Sequence, residues 1–157
     1  MSISQAFKPT KKVDTPLNEI LIDDNEKQWY CKTKGPLAAK SNPQVFNFAE
    51  IIDFELVEDG NTITKGGTGM ALAGGALFGA AGAIVGGTVG KKKSKTEVTT
   101  MQINVTLNHK YMTMVTIPFL NPIGGKSVGG SADYKLKKMQ ADKAIAELNR
   151  MCNSAVE

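Results

Sequence analysis

The sequence predicts a mainly β domain with a C-terminal α-helix (α+β): a bent antiparallel sandwich or barrel, capped by the helix, with a Gly/Ala-rich helical hairpin inserted between two strands. Three observations predict it. Between residues 19 and 120 several segments alternate apolar and polar side chains, the period of a half-buried strand. From Tyr134 to Cys152 the apolar residues recur three and four apart instead, the period of one helix face. Between two of the strand segments lies GGTGMALAGGALFGAAGAIVGGTVG, residues 66–90, with ten Gly, six Ala and no charge or proline.

A chain of 157 residues holds one domain of ordinary size with its own core. Residues 1–17 are polar and lysine-rich, with Pro9 and Pro16, and read as a flexible N-terminal tail ahead of a domain spanning 18–157. Ile20-Leu21-Ile22 and Gln28 to Thr33 flank the turn pair Asp24-Asn25, so residues 19–33 form a hairpin. Residues 37–44 read as loop and Val45 to Phe48 as a short strand. In Glu50 to Glu58 the alternation sets Ile52, Phe54 and Leu56 on one face and Asp53, Glu55 and Val57 on the other. Asp59-Gly60-Asn61 turns the chain into a strand beginning at Thr62. After the insert, Val98 to Leu107 places Met101, Ile103, Val105 and Leu107 on one face. Asn108-His109-Lys110 is a turn, and Tyr111 to Leu120 completes about seven strands. Residues 121–132 are a Gly/Ser loop. The helix covers about residues 131–153, capped by Ser131 or Asp133, and turns Tyr134, Ala141, Ala144, Ile145, Leu148, Met151 and Cys152 inward.

The insert admits three readings. On a helix, positions four apart share a face, and Gly67, Ala71, Gly75, Gly79, Ala83 and Gly87 are four apart. Gly82, Gly86 and Gly90 form a second row with the same spacing. Such rows make a groove without side chains, which another helix can approach closely. As a single membrane span the segment would reach ~37 Å, enough for a ~30 Å hydrocarbon core. That arrangement would put strands of one sheet on opposite sides of a bilayer. A helical hairpin turning at Gly79 to Gly82 avoids this, because both ends return to the sheet; its arms of ~15 Å enter one leaflet without crossing. The third reading is a flexible linker, against which stands the absence of Ser, Asp, Glu and Lys over the whole segment. Glycine costs up to ~1 kcal/mol per residue in a helix relative to Ala, so a hairpin this rich in glycine requires a surface to pack on. Leu72, Leu77, Phe78, Ile84 and Val85 are its apolar contacts with membrane or partner, and Lys65, Lys91, Lys92, Lys93 and Lys95 its contacts with anionic headgroups.

Little in the chain points to catalysis. Neither a phosphate-binding loop nor a dinucleotide fingerprint fits: Gly125-Lys126-Ser127 has Leu120 where the first glycine belongs, and Gly67-Thr68-Gly69 is followed three residues on by Leu72. His109 reads as a turn histidine, and Asp53, Glu55, Glu58 and Asp59 as the wet face of a strand and its turn, with a paired-carboxylate site as the alternative. Trp29 and Tyr30 read as packing residues. Cys31 and Cys152 lie far apart with no CxxC, so no metal or cofactor is expected. The net charge of +4 is modest, and no aromatic interrupts the basic cluster at Lys91 to Lys95, so no nucleic-acid partner is expected. No small-molecule substrate is identified. The N-terminus lacks the apolar run of a signal peptide, so the expected location is cytoplasmic, peripheral on the inner face of the membrane.

The run FNFAEIIDFELVEDGNTITKGG, the segment ending GAIVGGTVGKKK, and MQINVTLN together resemble a family of bacterial and phage pleckstrin-homology (PH)-like, GRAM-like proteins in which a glycine-rich apolar insert interrupts the sheet. Some members of that family carry a SHOCT module; no SHOCT-like segment is legible here. The resemblance covers about residues 45–120 and the helix after them, and implies a PH-like fold. The functional expectation is a non-enzymatic membrane-association or assembly module acting through the insert and its flanking lysines. The alternative is a soluble homo-oligomer whose glycine-rich helices pack between subunits without lipid.

Overall fold

The computed structural model describes residues 7–35, 44–68, 70–74, 97–121, 127–128 and 131–156. Their strands form two main antiparallel sheets and a short two-stranded ribbon, with one long helix. The first sheet has the order β1-β2-β3-β4: β1 (Lys11–Asp14), β2 (Asn18–Asp23), β3 (Gln28–Thr33) and β4 (Phe46–Asn47). The second has the order β10-β9-β5-β6-β7: β5 (Ile51–Glu58), β6 (Asn61–Gly67), β7 (Met70–Gly74), β9 (Met101–Leu107) and β10 (Met114–Leu120). The ribbon pairs β8 (Glu97–Val98) with β11 (Ser127–Val128). Helix α1 (Ala132–Val156) packs on the sheets.

The hydrophobic pattern accounts for most of this. Met101, Ile103, Val105 and Leu107 of β9 are all buried, as their alternation requires. The inward face of α1 is the expected one, with Ala141, Ala144, Ile145, Leu148, Met151 and Cys152 at 0% exposure. Ser131 caps the helix, its Oγ accepting the Tyr134 N–H at 3.2 Å. Arg150 ties the helix to the β2–β3 turn by pairing with Asp24 at 2.8 Å while also holding Glu147 at 2.7 Å. Trp29 lies fully buried between the sheets, against the Phe46 ring.

Four expectations are corrected. The N-terminal segment is no tail from Phe7 onward. Phe7 packs its ring at a tilt against Tyr30, centroids 4.9 Å apart, the Lys8 N–H donates to Asp23 at 2.9 Å, and Lys11–Asp14 is an edge strand with Val13 buried. Phe7, Val13 and the open edge of β2 dock it, while its lysines stay on the surface. Asp23, itself buried, is held below the usual carboxylate range chiefly by the Lys8 N–H.

In β5 the face assignment slips at one residue. Ile51 is buried and Ile52 is 48% exposed, whereas Phe54 and Leu56 face the core as expected. A bulge between Ile51 and Asp53 shifts the register against β9 and inserts one residue. Thr68 satisfies the carbonyls there: its N–H donates to Ile52 O at 3.1 Å and its hydroxyl to Ile51 O at 2.7 Å.

The insert does not begin as a helix. Gly66 and Gly67 end β6, and Met70–Gly74 is strand β7 on the edge of the sheet. Gly67 and Ala71 therefore belong to strands and do not share a helix face. The remainder of the expected hairpin, residues 75–96, lies outside the described residues.

The final correction concerns the strands themselves. The single strand expected from Val98 to Leu107 is divided into β8 and β9, β10 starts at Met114 where Tyr111 was expected, and β1, β7 and β11 are additional.

Candidate functional site

The sheet register determines where the insert leaves and rejoins the domain. Strand β7 runs upward along β6, from Met70 opposite Gly67 to Gly74 opposite Thr64. Thr64 lies opposite Leu56, and Glu58 and Asn61 close the β5–β6 hairpin just beyond. The chain returns through β8 and enters β9 at Met101, which pairs with Glu58. Exit and re-entry therefore lie at the same pole of the sheet, the one carrying the Asp59-Gly60 turn.

That turn is a two-residue hairpin loop with both residues in the left-handed region, Asp59 at φ 46 and Gly60 at φ 81. Asp-Gly is the sequence this geometry favours. The Asp59 carboxylate then clamps the returning chain. Its Oδ1 accepts the N–H groups of Thr99 and Thr100, each at 2.9 Å, and the Asp59 N–H donates to Thr100 O at 3.1 Å. The start of α1 joins the same pole. Tyr134 donates its hydroxyl to Glu58 Oε1 at 2.6 Å, and Ser127 donates to Asp133 Oδ2 at 2.7 Å from the strand that pairs with β8. Burial pushes the Glu58 carboxyl above its usual range, although the Tyr134 hydroxyl and Lys138 draw it back. The Tyr134 hydroxyl is raised by burial and by Glu58. Asp133 is lowered by the Ser127 hydroxyl and Lys137.

The residues expected to act divide into two groups. Lys65 is exposed on β6, across from Glu55 on one side and Ala73 on the other. Gly67 permits a close strand contact: a Cβ there would lie 2.5 Å from Ile52 O and 2.9 Å from Asp53 Cα. Ala71 and Leu72 lie on β7. Outside the described residues lie Gly75, Leu77, Phe78, Gly79, Gly82, Ala83, Ile84, Val85, Gly86, Gly87, Gly90, Lys91, Lys92, Lys93 and Lys95. The residues missed by sequence reasoning are Asp59 as a clamp, its partners Thr99 and Thr100, and the Glu58–Tyr134 bond. The Asp-Gly dipeptide signalled the turn, but nothing local signals partners some forty residues on.

The remaining chemistry is structural. His109 packs its edge on Phe46 at 5.2 Å and accepts the Tyr111 N–H at 3.2 Å, with Glu50 at 4.0 Å. Burial pushes the Cys31 thiol up to about 12 and raises Cys152 as well, so neither is a ready nucleophile. Among the described residues no cluster of His, Cys, Asp and Glu could hold a metal, and no helix is long and apolar enough to cross a membrane.

Two antiparallel sheets closed by a C-terminal helix, with a strand connection opened for an insert, define a PH-like interaction domain; such domains are generally non-catalytic. Residues 8–121 match the family described as the glycine zipper containing PH domain, and the chain belongs to that family. No curated protein and no solved structure matches it.

Proposed function

We propose that this chain is a PH-like module of bacterial or phage origin that attaches to anionic membrane through its glycine-rich insert. The observation that carries the reading is the common pole of exit and re-entry: an apolar segment fastened at both ends to one edge of a folded domain projects as a single unit. The outgoing limb runs as strand to Gly74, which leaves four residues before the turn at Gly79 to Gly82. Even fully extended they span ~14 Å, so the tip enters one leaflet of a ~30 Å core and does not cross it. Leu77, Phe78, Ile84 and Val85 supply the apolar contact, and Lys91, Lys92, Lys93 and Lys95, with Lys65 on the adjoining strand, engage headgroups from the cytoplasmic face. The second reading, a homo-oligomer without lipid, draws on the spacing of Gly75, Gly79, Ala83 and Gly87 and of Gly82, Gly86 and Gly90.

Liposome flotation with anionic and neutral vesicles separates the two. The wild type is expected to float with anionic vesicles, and a chain lacking residues 75–96 to stay at the bottom. A wild type that does not float, yet elutes as a discrete oligomer that Gly75→Leu/Gly79→Leu disperses, would replace the membrane reading with the oligomer.

A further inference from the structure

The N-terminal strand and the helix enclose a groove of about 550 Å³ on the outside of the domain. All four residues of β1, Lys11 to Asp14, line one wall. Strand residues that line a face alternate, so four in succession place the groove along the backbone edge of β1. Among the described residues β1 pairs with β2 alone, leaving this edge without a strand. The hairpin-closing bond from Thr15 N–H to Asn18 O sets the alternation. Lys11 and Val13 exchange bonds with β2, and the backbone groups of Lys12 and Asp14 point to the open edge.

The opposite wall is a stripe of α1 distinct from its buried face: Leu136, Met139, Gln140, Lys143, Ala146 and Glu147. Leu136 is 52% exposed and Met139 49%. The strand wall is ~13 Å long and the helix wall ~17 Å, room for about four extended residues. The charge is also one-sided. Glu147 is held by Lys11 at 2.7 Å and by Arg150 at 2.7 Å, and Asp14 by Lys34 at 3.2 Å and Lys12 at 3.6 Å. Both acids of the groove are thus neutralised and Lys12 is also held by Glu19 at 3.4 Å, while Lys143 has no ion-pair partner among the described residues.

We infer that this groove binds an extended acidic peptide segment by strand addition to β1. The main chain of the peptide pairs with Lys12 and Asp14. Its alternate apolar side chains rest on Leu136 and Met139, and an acidic side chain between them meets Lys143. This site is independent of the insert.

The test uses the full chain and a random dodecapeptide display library, with enriched peptides measured by fluorescence anisotropy. Enriched sequences are expected to alternate apolar residues with Asp or Glu. Their binding should shift the amide resonances of Lys12 and Asp14. Lys12→Pro removes the outward donor without touching the pairing with β2, and should weaken binding at least about tenfold more than Lys12→Ala. Met139→Asp, which leaves β1 intact, should weaken it by a similar factor. Thermal melts matching the wild type show that each variant is folded. No enrichment, enrichment without acidic residues, or binding that survives both Lys12→Pro and Met139→Asp overturns the inference. Loss of self-association in Lys12→Pro would assign the groove to a second copy of the chain, and would equally overturn it.

Discussion

Gly67 shows how much a single residue's reading depends on its setting. In the sequence it begins a row of small residues four apart; in the fold it is where β6 passes over the bulge of β5, with Ile52 O 2.5 Å from any added Cβ. That neighbour is backbone and cannot swing aside. Gly67→Ala is expected to cost about 1–3 kcal/mol, read as a lower midpoint of urea unfolding. Gly60 is the contrasting case. Nothing lies within 4 Å of its Cβ position, but φ is +81, so Gly60→Ala should cost only about 1 kcal/mol, through backbone conformation. At Asp59 both terms act. Asn tolerates the left-handed region and keeps an acceptor for the Thr99 and Thr100 N–H groups, whereas Ala does neither. Asp59→Ala should therefore lose about 1–2 kcal/mol and Asp59→Asn a fraction of that, with hydrogen exchange quickening at Thr99 and Thr100 in the alanine variant. The turn at Asp59-Gly60 was legible in the sequence because its conformational demand is local. The clamp was not, because its partners lie beyond the insert.

At the scale of elements, legibility followed burial. Strand β9 and helix α1 each bury one complete face, so their periods survive in the sequence and their core residues are as expected. Strand β1 buries Val13 alone among four residues, too little to write a period, and β7 sets Met70 and Leu72 among Ala and Gly inside a longer Gly/Ala run. Strand β5 carried the right period with one phase slip, because a bulge is fixed by the neighbouring Thr68 and not by the strand itself. The contact between β5 and α1 yields a pH prediction. Burial raises the Glu58 carboxyl above its ordinary 4.5, so the folded state favours the neutral acid. The contribution of Glu58 is full below pH 4.5 and is lost as pH rises through the raised value. Glu58→Gln keeps an acceptor for Tyr134 but does not titrate. Its stability should decline less than that of the wild type between pH 4.5 and neutrality, as measured by urea midpoints across that range. An unchanged slope would mean that Glu58 is solvated. Tyr134→Phe acts in the opposite sense, leaving the carboxylate without its hydroxyl donor and costing about 1–2 kcal/mol at neutral pH, less in acid.

For the whole molecule, the question is whether the insert is part of the fold or is carried by it. The alternation on either side of residues 66–90 made one interrupted sheet legible, and with it the conclusion that both ends of the segment return to the same domain. The sequence did not show that the first nine residues of that segment, to Gly74, include the end of β6 and all of β7, since glycine and alanine rows fit a strand edge as readily as a helix face. What fastens the root lies within the described residues: β7 on β6, the Asp59 clamp on the returning chain, β8 on β11, and Tyr134 on Glu58. None of these contacts uses residues 75–96. A chain in which that segment is replaced by a Gly/Ser linker of about six residues, long enough to reach ~20 Å, should therefore fold, and a shorter loop lowers the entropy cost of closure. Its thermal midpoint is expected within a few degrees of the wild type, with the same near-ultraviolet circular dichroism, while flotation on anionic vesicles is lost. Cooperative unfolding at the wild-type temperature without flotation separates attachment from folding. A molten or insoluble product would place part of the hydrophobic core in the insert, and the domain would then depend on the surface it docks to.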